Sequence, residues 1–305
     1  MNEITKALLE QISDWKGGYE GAYNIREDGG CAARKSTDNI RIESKKDEPG
    51  LDIFIEPGTK GESVSIPACV THGNVDDLTY NDFHIGENAD VLIVAGCGVH
   101  TETGEPARHN GIHRFFLAKG AKVKYLEKHI GTGKGNGLRS IDPVTEIFME
   151  EDSLLEMDTS QIGGVDRSTR KTKATLGARA KLLIRERLLT EYDQTAYTDF
   201  VVELNGDDSG ADVISRSVAK DSSHQAYRSM IIGNAKCTGH TECDAIISGN
   251  GKVDAAPELQ AHHEDAALIH EAAIGKIAGE QLLKLQTLGL TEKEAEETII
   301  AGFLS

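Results

Sequence analysis

Three potential metal ligands lie three residues apart in the segment KCTGHTECD, where they are Cys237, His240 and Cys243. Thiolate and imidazole are good ligands for zinc and for iron, so this spacing could hold a metal. In an extended strand, residues three apart point to opposite faces, which puts the two cysteines on one face and His240 on the other. A turn at Gly239 would bring all three together. The alternative is that both cysteines are small apolar residues packed inside a β core.

A second group of ligand-type side chains follows in the segment AHHEDAALIHEAAIGKI. It contains six such residues within ten positions: His262, His263, Glu264, Asp265, His270 and Glu271. The first four are equally explained as a solvated acidic loop. The pair His270 and Glu271 lies at an expected junction of sheet and helix, where a carboxylate is also stabilised simply by the helix N-terminus.

A third group, Cys97, His100, His109 and His113, matches no common zinc module. Mononuclear zinc at these residues would suit a metal-dependent enzyme, and otherwise the histidines are polar loop or core residues. The sequence contains no G-x-x-x-x-G-K-[ST], G-x-S-x-G or H-E-x-x-H motif. The usual local signatures of a P-loop ATPase, an α/β-hydrolase and a zincin are therefore missing.

Composition limits the possible partners. The 305 residues carry 33 Lys and Arg against 50 Asp and Glu, a net charge of −17, which repels nucleic acid and anionic lipid. Five dispersed cysteines indicate no disulfide framework, and the first residues lack the features of a secretory signal. The longest apolar run, VLIVAGCGV, is too short to cross a bilayer. We therefore expect a soluble cytoplasmic protein that binds neither nucleic acid nor membranes.

The middle of the chain has the period of two that is typical of strands, as in KVKYLEKHI, in which charged and apolar residues interleave. A small residue that leads into such a strand recurs at intervals of 32, 32, 25, 33 and 24 residues, at Ala89, Ala121, Ser153, Ala178, Ala211 and Ala235. Units of this size cannot bury their own apolar faces, which indicates stacked coils of a β-solenoid. A β-sandwich is the competing interpretation.

Helical periodicity is restricted to the two ends of the chain. The segment 2–15 places Ile4, Leu8, Ile12 and Trp15 on one stripe. After residue 265 a helical hairpin is expected, with Ile274, Ile277, Leu282 and Leu285 on an apolar face and a capping box at TEKE. We therefore predict an N-terminal helical segment (1–36), a mainly β core (37–264) and a C-terminal helical segment (265–305).

The C-terminal third contains, in this order and spacing, ECDAIISGN, Pro257 and HEAAIGKIAGEQLLKLQTLGLTEKEAEETIIAGFL. In these segments the chain resembles the SufB/SufD family of iron–sulfur cluster assembly. This resemblance implies a right-handed parallel β-helix with C-terminal helices that dock on SufC, an ABC-type ATPase. It also implies pairing through the β-helix, as a homodimer or with a second scaffold, and movement of the paired scaffolds when the ATPase closes.

Carried over to this sequence, the resemblance places Cys243 and Glu271 at the positions implicated in holding a transient cluster. A carboxylate beside a thiolate should leave the cluster easier to release to acceptor apo-proteins. Cys237 and His240, added from their spacing, and His270 complete the candidate ligands. The chain would then be a scaffold and not an enzyme. The alternatives are a zinc-dependent β-helix enzyme that uses Cys97, His100, His109 and His113, and a purely structural partner of the ATPase.

Overall fold

Alternating inward and outward side chains run through twenty strands of the computed structural model, which describes residues 1–305. The elements are α1 (Glu3–Ser13), β1 (Ala22–Glu27), β2 (Gly30–Lys35), β3 (Ile40–Ser44), β4 (Gly50–Ile55), β5 (Lys60–Val70), β6 (Val75–Ile85), β7 (Asp90–His100), β8 (Ala107–Leu117), β9 (Lys122–Thr132), β10 (Arg139–Ile141), β11 (Val144–Met149), β12 (Leu154–Ile162), β13 (Arg167–Leu176), β14 (Lys181–Thr190), β15 (Thr195–Leu204), β16 (Gly210–Ala219), β17 (His224–Gly233), β18 (Thr238–Ile247), β19 (Lys252–Ala261), β20 (Ala267–Lys276), α2 (Gly279–Thr287) and α3 (Glu292–Phe303).

The strands form a parallel β-solenoid of about eight turns, as the sequence predicted. One sheet has the order β2-β1-β5-β7-β9-β12-β14-β16-β18-β20, and the other runs β19-β17-β15-β13-β10-β8-β6-β4-β3, with β11 continuing the line of β10. All pairs are parallel except the hairpins β1/β2 and β3/β4 at the N-terminal end. The last coil, β19 and β20, leaves one edge of each sheet unpaired.

A residue with left-handed backbone conformation recurs in successive turns of the solenoid. These residues have φ between 55° and 71°, and they are Gly58, Asn88, Gly120, Asp152, Arg179 and Asp208. Glycine, asparagine and aspartate are the residues that adopt this conformation most readily. The next residue is small and buried, as at Ala89, Ala121 and Ser153. The predicted repeat is therefore confirmed at these three positions, whereas later coils use Ala180, Ser209 and Cys237 in place of Ala178, Ala211 and Ala235.

Helix α1 covers the outside of the first sheet near its N-terminal end. Leu8, Leu9 and Ile12 are buried there, in agreement with the predicted stripe. The helix approaches β7 so closely that a Cβ added at Gly98 would lie 2.9 Å from Leu8 Cδ2. None of the three helices is long and apolar enough to span a membrane.

Both terminal segments contain strands where helix was expected. Residues 22–35 form β1 and β2, and β1 joins the first sheet beside β5. At the other end the predicted helix from residue 265 is wrong, because Ala267–Lys276 is strand β20 and helix α2 begins only at Gly279. The alanine-rich segment favours helix locally, but ten residues of parallel pairing with β18 override that preference. Ile274, expected on a helix, therefore belongs to this strand.

Candidate metal centre at the C-terminal end of the solenoid

The pleat of β18 separates the predicted ligands into two groups. Gly239 lies within the strand and makes no turn, so Cys243 points into the solenoid and His240 points outward. The parallel register places Thr241 opposite His270, Glu242 opposite Glu271 and Cys243 opposite Ala272 of β20. His270 therefore shares the inner face with Cys243, whereas Glu271 shares the outer face with His240.

On the inner face, Cys243 is 2 % exposed and belongs to the main apolar core. Burial, together with the Glu186 and Asp244 carboxylates, raises the pKa of its thiol to about 12. Cys237 precedes β18, is also in the main core, and burial raises the pKa of its thiol. Both cysteines are thus protonated and shielded in this conformation, so a metal would have to displace the thiol proton.

His270 lies one diagonal step from Cys243 on the same inner surface. Its Nδ1 is buried and has no hydrogen-bond partner. Buried polar atoms are normally satisfied, so an orphaned imidazole nitrogen marks a position where another group can bind. A thiol and an imidazole nitrogen are both ligands that iron accepts. The donor types on the inner face are therefore compatible with iron.

On the outer face, His240, Glu242 and Glu271 converge, with one ligand atom of each within 4.8 Å of the others. The Nδ1 of His240 is 2.7 Å from Oδ1 of Asp212. Glu242 was not among the predicted ligands. Glu242 is two residues from His240, so the period of a strand alone would have predicted that both lie on the same face. The position of Glu242 opposite Glu271 depends instead on the length of the coil between β18 and β20.

The third predicted group does not form a compact set of ligand atoms like that of the outer-face group, although Cys97, His109 and His113 line one small cavity. His109 Nδ1 is 3.0 Å from Asp77 Oδ2, and His113 Nδ1 is 2.9 Å from the Tyr125 hydroxyl. His100, at the end of β7, contacts the Thr132 hydroxyl at 2.9 Å. Cys97 is buried in a separate apolar cluster. Each histidine therefore has its own structural partner, and the geometry does not favour a zinc site at these residues.

The remaining acidic segment is an exposed turn between β19 and β20. His262 Nδ1 is 2.8 Å from Asn234 Oδ1, and the backbone NH of Asp265 donates to His263 Nδ1 at 3.1 Å. Glu264 is exposed as well. These four residues thus match the solvated loop that was one of the two interpretations of the sequence.

A buried polar chain inside the solenoid is the main feature that sequence reasoning missed. The Tyr125 hydroxyl donates to Glu127 at 2.8 Å, and Arg170 bridges Glu127 at 2.8 Å and Glu186 at 3.4 Å. Ser215 donates to the far side of Glu186 at 2.8 Å and is the register neighbour of Cys243. The charges of His129 and Arg170 hold the pKa of Glu127 well below its usual value despite burial. Burial raises the pKa of Glu186. The ionised part of the chain is therefore the pair of Glu127 and Arg170, and Glu186 links this pair to Ser215 beside Cys243.

Fold and site together define a class of protein, a parallel β-solenoid with a buried thiol beneath its last, uncovered coil and a half-buried imidazole on the inner face of that coil. A family profile described as "SUF system FeS cluster assembly, SufBD core domain" matches residues 74–303. The chain belongs to the SufBD family.

Curated relatives agree with this assignment. An iron–sulfur cluster assembly SufBD family protein of Methanothermobacter thermautotrophicus (strain Winter) is 30% identical over 272 residues, covering 86% of this chain and 64% of the relative. A SufBD family protein of Archaeoglobus fulgidus is 30% identical over 275 residues, covering 89% of this chain and 72% of the relative. The chain thus spans just under two thirds of the length of the Methanothermobacter protein.

Proposed function

We propose that this chain is a scaffold on which an iron–sulfur cluster is assembled as cargo, with Cys243 as a thiolate ligand. The observation that carries the proposal is the pairing on one inner surface of a buried thiol with His270, whose Nδ1 lacks a partner. Iron–sulfur clusters are held by thiolates, and histidine replaces some of them in known cluster types. The finished cluster would pass to acceptor apo-proteins.

The uncovered last coil supports a partner scaffold at this end. Strands β19 and β20 have unpaired edges, and the coil exposes apolar side chains, including Ile269 at 57 %. An unpaired, apolar strand edge is a template for pairing with another chain. A second copy of this chain, or a related scaffold, would cover the edge and bring two candidate centres close together.

Helix α2 supports docking of a SufC-like ABC-type ATPase, the proposed source of ATP hydrolysis. The helix has no buried residue, and Leu283 and Leu288 are 60 % and 73 % exposed. Helix α3 is anchored, because Ile300 and Leu304 pack on Val218 of the solenoid.

Leu283→Asp should abolish co-purification with the ATPase. Tyr192→Asp, at a 70 % exposed residue on a solenoid turn, is the matched control and should retain it.

The shielded thiol supports a moving scaffold. With a pKa of about 12, Cys243 is almost entirely protonated near neutral pH and is a poor nucleophile and ligand. Closure of the ATPase pair would shift the two scaffolds and open the last coil, which would let the thiol lose its proton to solvent and bind iron. ATP use is then linked to access to the centre.

The test is the iron and acid-labile sulfide content, with the visible spectrum, after anaerobic reconstitution together with the ATPase. Wild type should hold iron and sulfide in similar amounts, and Cys243→Ala should lose both. Cys69→Ala removes an equally buried thiol at the N-terminal end and should keep the cluster. A full cluster in Cys243→Ala would refute the scaffold assignment of this residue. No cluster in wild type would favour a purely structural partner of the ATPase.

A further inference from the structure

The outer-face group beside the solenoid edge forms a compact set of ligands without any thiol. His240 and Glu242 are two residues apart on β18 and so point the same way, and the parallel register sets Glu271 directly opposite Glu242. One ligand atom of each lies within 4.8 Å of the other two. A single cation placed between them could contact all three side chains.

The charges around this group are unbalanced. Two carboxylates directly opposite each other on neighbouring strands destabilise a sheet unless something compensates them. Asp212 and Asp244 add further negative charge on the same face. Arg216 is the only arginine or lysine paired with these carboxylates, and its guanidinium is 3.9 Å from Glu242, beyond hydrogen-bond distance. A divalent cation would remove the repulsion that remains.

His240 has the partner that a metal-binding histidine requires. Its Nδ1 lies 2.7 Å from Oδ1 of Asp212 on the neighbouring strand β16. When the Nδ1–H donates to this carboxylate, the free lone pair stays on Nε2. Histidine ligands are commonly oriented in this way, by a second carboxylate that fixes the tautomer and the ring.

We propose that His240, Glu242 and Glu271 bind a divalent first-row metal ion, which is ferrous iron if the proposed function holds. One imidazole and two carboxylates suit Fe²⁺ and Mn²⁺, and water would complete the coordination. Because Glu271 is exposed, the ion stays exchangeable. The next residue after Glu242 is Cys243, on the opposite face, so the site holds iron beside the thiol without using it.

Mn²⁺ alone is the probe, since it is a hard ion that binds oxygen and nitrogen in preference to thiol and is followed by electron paramagnetic resonance. Wild type should bind one ion per chain. His240→Ala and Glu242→Gln should each weaken binding at least tenfold, and Asp212→Asn about 10- to 100-fold through the orientation of His240. The matched control is His224→Ala, because His224 Nε2 contacts Asp254 at 2.7 Å but belongs to no such group. Its Mn²⁺ affinity should equal that of wild type.

The outcomes separate this site from the cluster itself. Cys243→Ala should bind Mn²⁺ like wild type while it loses the cluster, and Glu242→Gln should form the cluster more slowly when Fe²⁺ is limiting. Unchanged Mn²⁺ affinity in Glu242→Gln would overturn the metal site and leave the scaffold proposal intact. Mn²⁺ binding by a wild type that never forms a cluster would overturn the scaffold proposal and leave the metal site.

Discussion

Replacement of Arg170 by methionine tests whether the polar chain inside the solenoid depends on this one cation. The Arg170 side chain is 7 % exposed, and its partners Glu127 and Glu186 are 2 % and 5 % exposed. Arg170→Met keeps most of the volume but leaves two buried carboxylates without their shared positive charge. Removing one partner of a buried ion pair costs about 3–5 kcal/mol. We therefore expect the free energy required to open the coils that contain β9, β13 and β14 to fall by about 3–5 kcal/mol.

Hydrogen exchange measures this loss locally, which suits a solenoid because each coil contacts only its neighbours. Amides of β9, β13 and β14 in Arg170→Met should exchange roughly two to four orders of magnitude faster at pH 8, since about 1.4 kcal/mol corresponds to a factor of ten. The difference from wild type should shrink as the pH falls to 5, because a carboxyl left without Arg170 takes up a proton and becomes neutral.

Two further variants sharpen the result. Lys173→Met removes an exposed cation from the same strand, on the outer face, where its pair with Glu203 is 3.1 Å long, and should cost at most about 1 kcal/mol. Glu127→Gln combined with Arg170→Met should recover roughly 1–3 kcal/mol relative to Arg170→Met alone. If Arg170→Met exchanges like Lys173→Met at pH 8, the ionised state assigned to the chain is wrong.

Three other predictions concern stability. Burial lowers the pKa of His113 to about 4, so between pH 6.5 and 5 it is mainly the unfolded chain that takes up this proton. Over this range the free energy of unfolding of wild type, measured by urea titration, should fall by about 1–2 kcal/mol more than that of His113→Gln, and an equal fall in both would contradict this. Gly131→Ala would place a Cβ 1.8 Å from the Gly164 carbonyl oxygen, so the melting temperature should fall. A melting temperature equal to that of wild type would show that the coils are not packed this closely. Thr291→Ala removes the capping box with Glu294 and should raise exchange in α3 by the equivalent of about 1 kcal/mol, with α2 as internal reference.

The sequence predicted what depends on local geometry. Of the two interpretations of the segment 237–243, the structure matches the straight strand, with Cys243 and His240 on opposite faces, and not the turn at Gly239. Strand pleating alone gives this arrangement, without knowledge of the neighbouring strands. The period of two also places Glu127 on the inner face with Tyr125, so the polar chain had a signal that was not used. The pairing of Glu242 with Glu271 could not be predicted, since it depends on a 29-residue offset set by turn conformations between the strands.

Strand β20 contributes to both groups of ligands, with His270 on the inner face and Glu271 on the outer face. Cys243 and Glu271 cannot hold the same cluster while they face opposite sides of the sheet. A shift of one residue in the pairing of β20 with β18 would turn Glu271 inward and His270 outward. The present register exposes Ile269 at 57 % and buries the Nδ1 atom of the half-buried His270 without a hydrogen-bond partner. This register is therefore not the best arrangement for either residue. Under the proposed function, in which an ATPase docks on this chain, we therefore expect β20 to be the element that moves when that partner closes. Alkylation of Cys243 should then be faster with ATPase and ATP than without nucleotide, and equal rates would restrict Glu271 to the outer metal site.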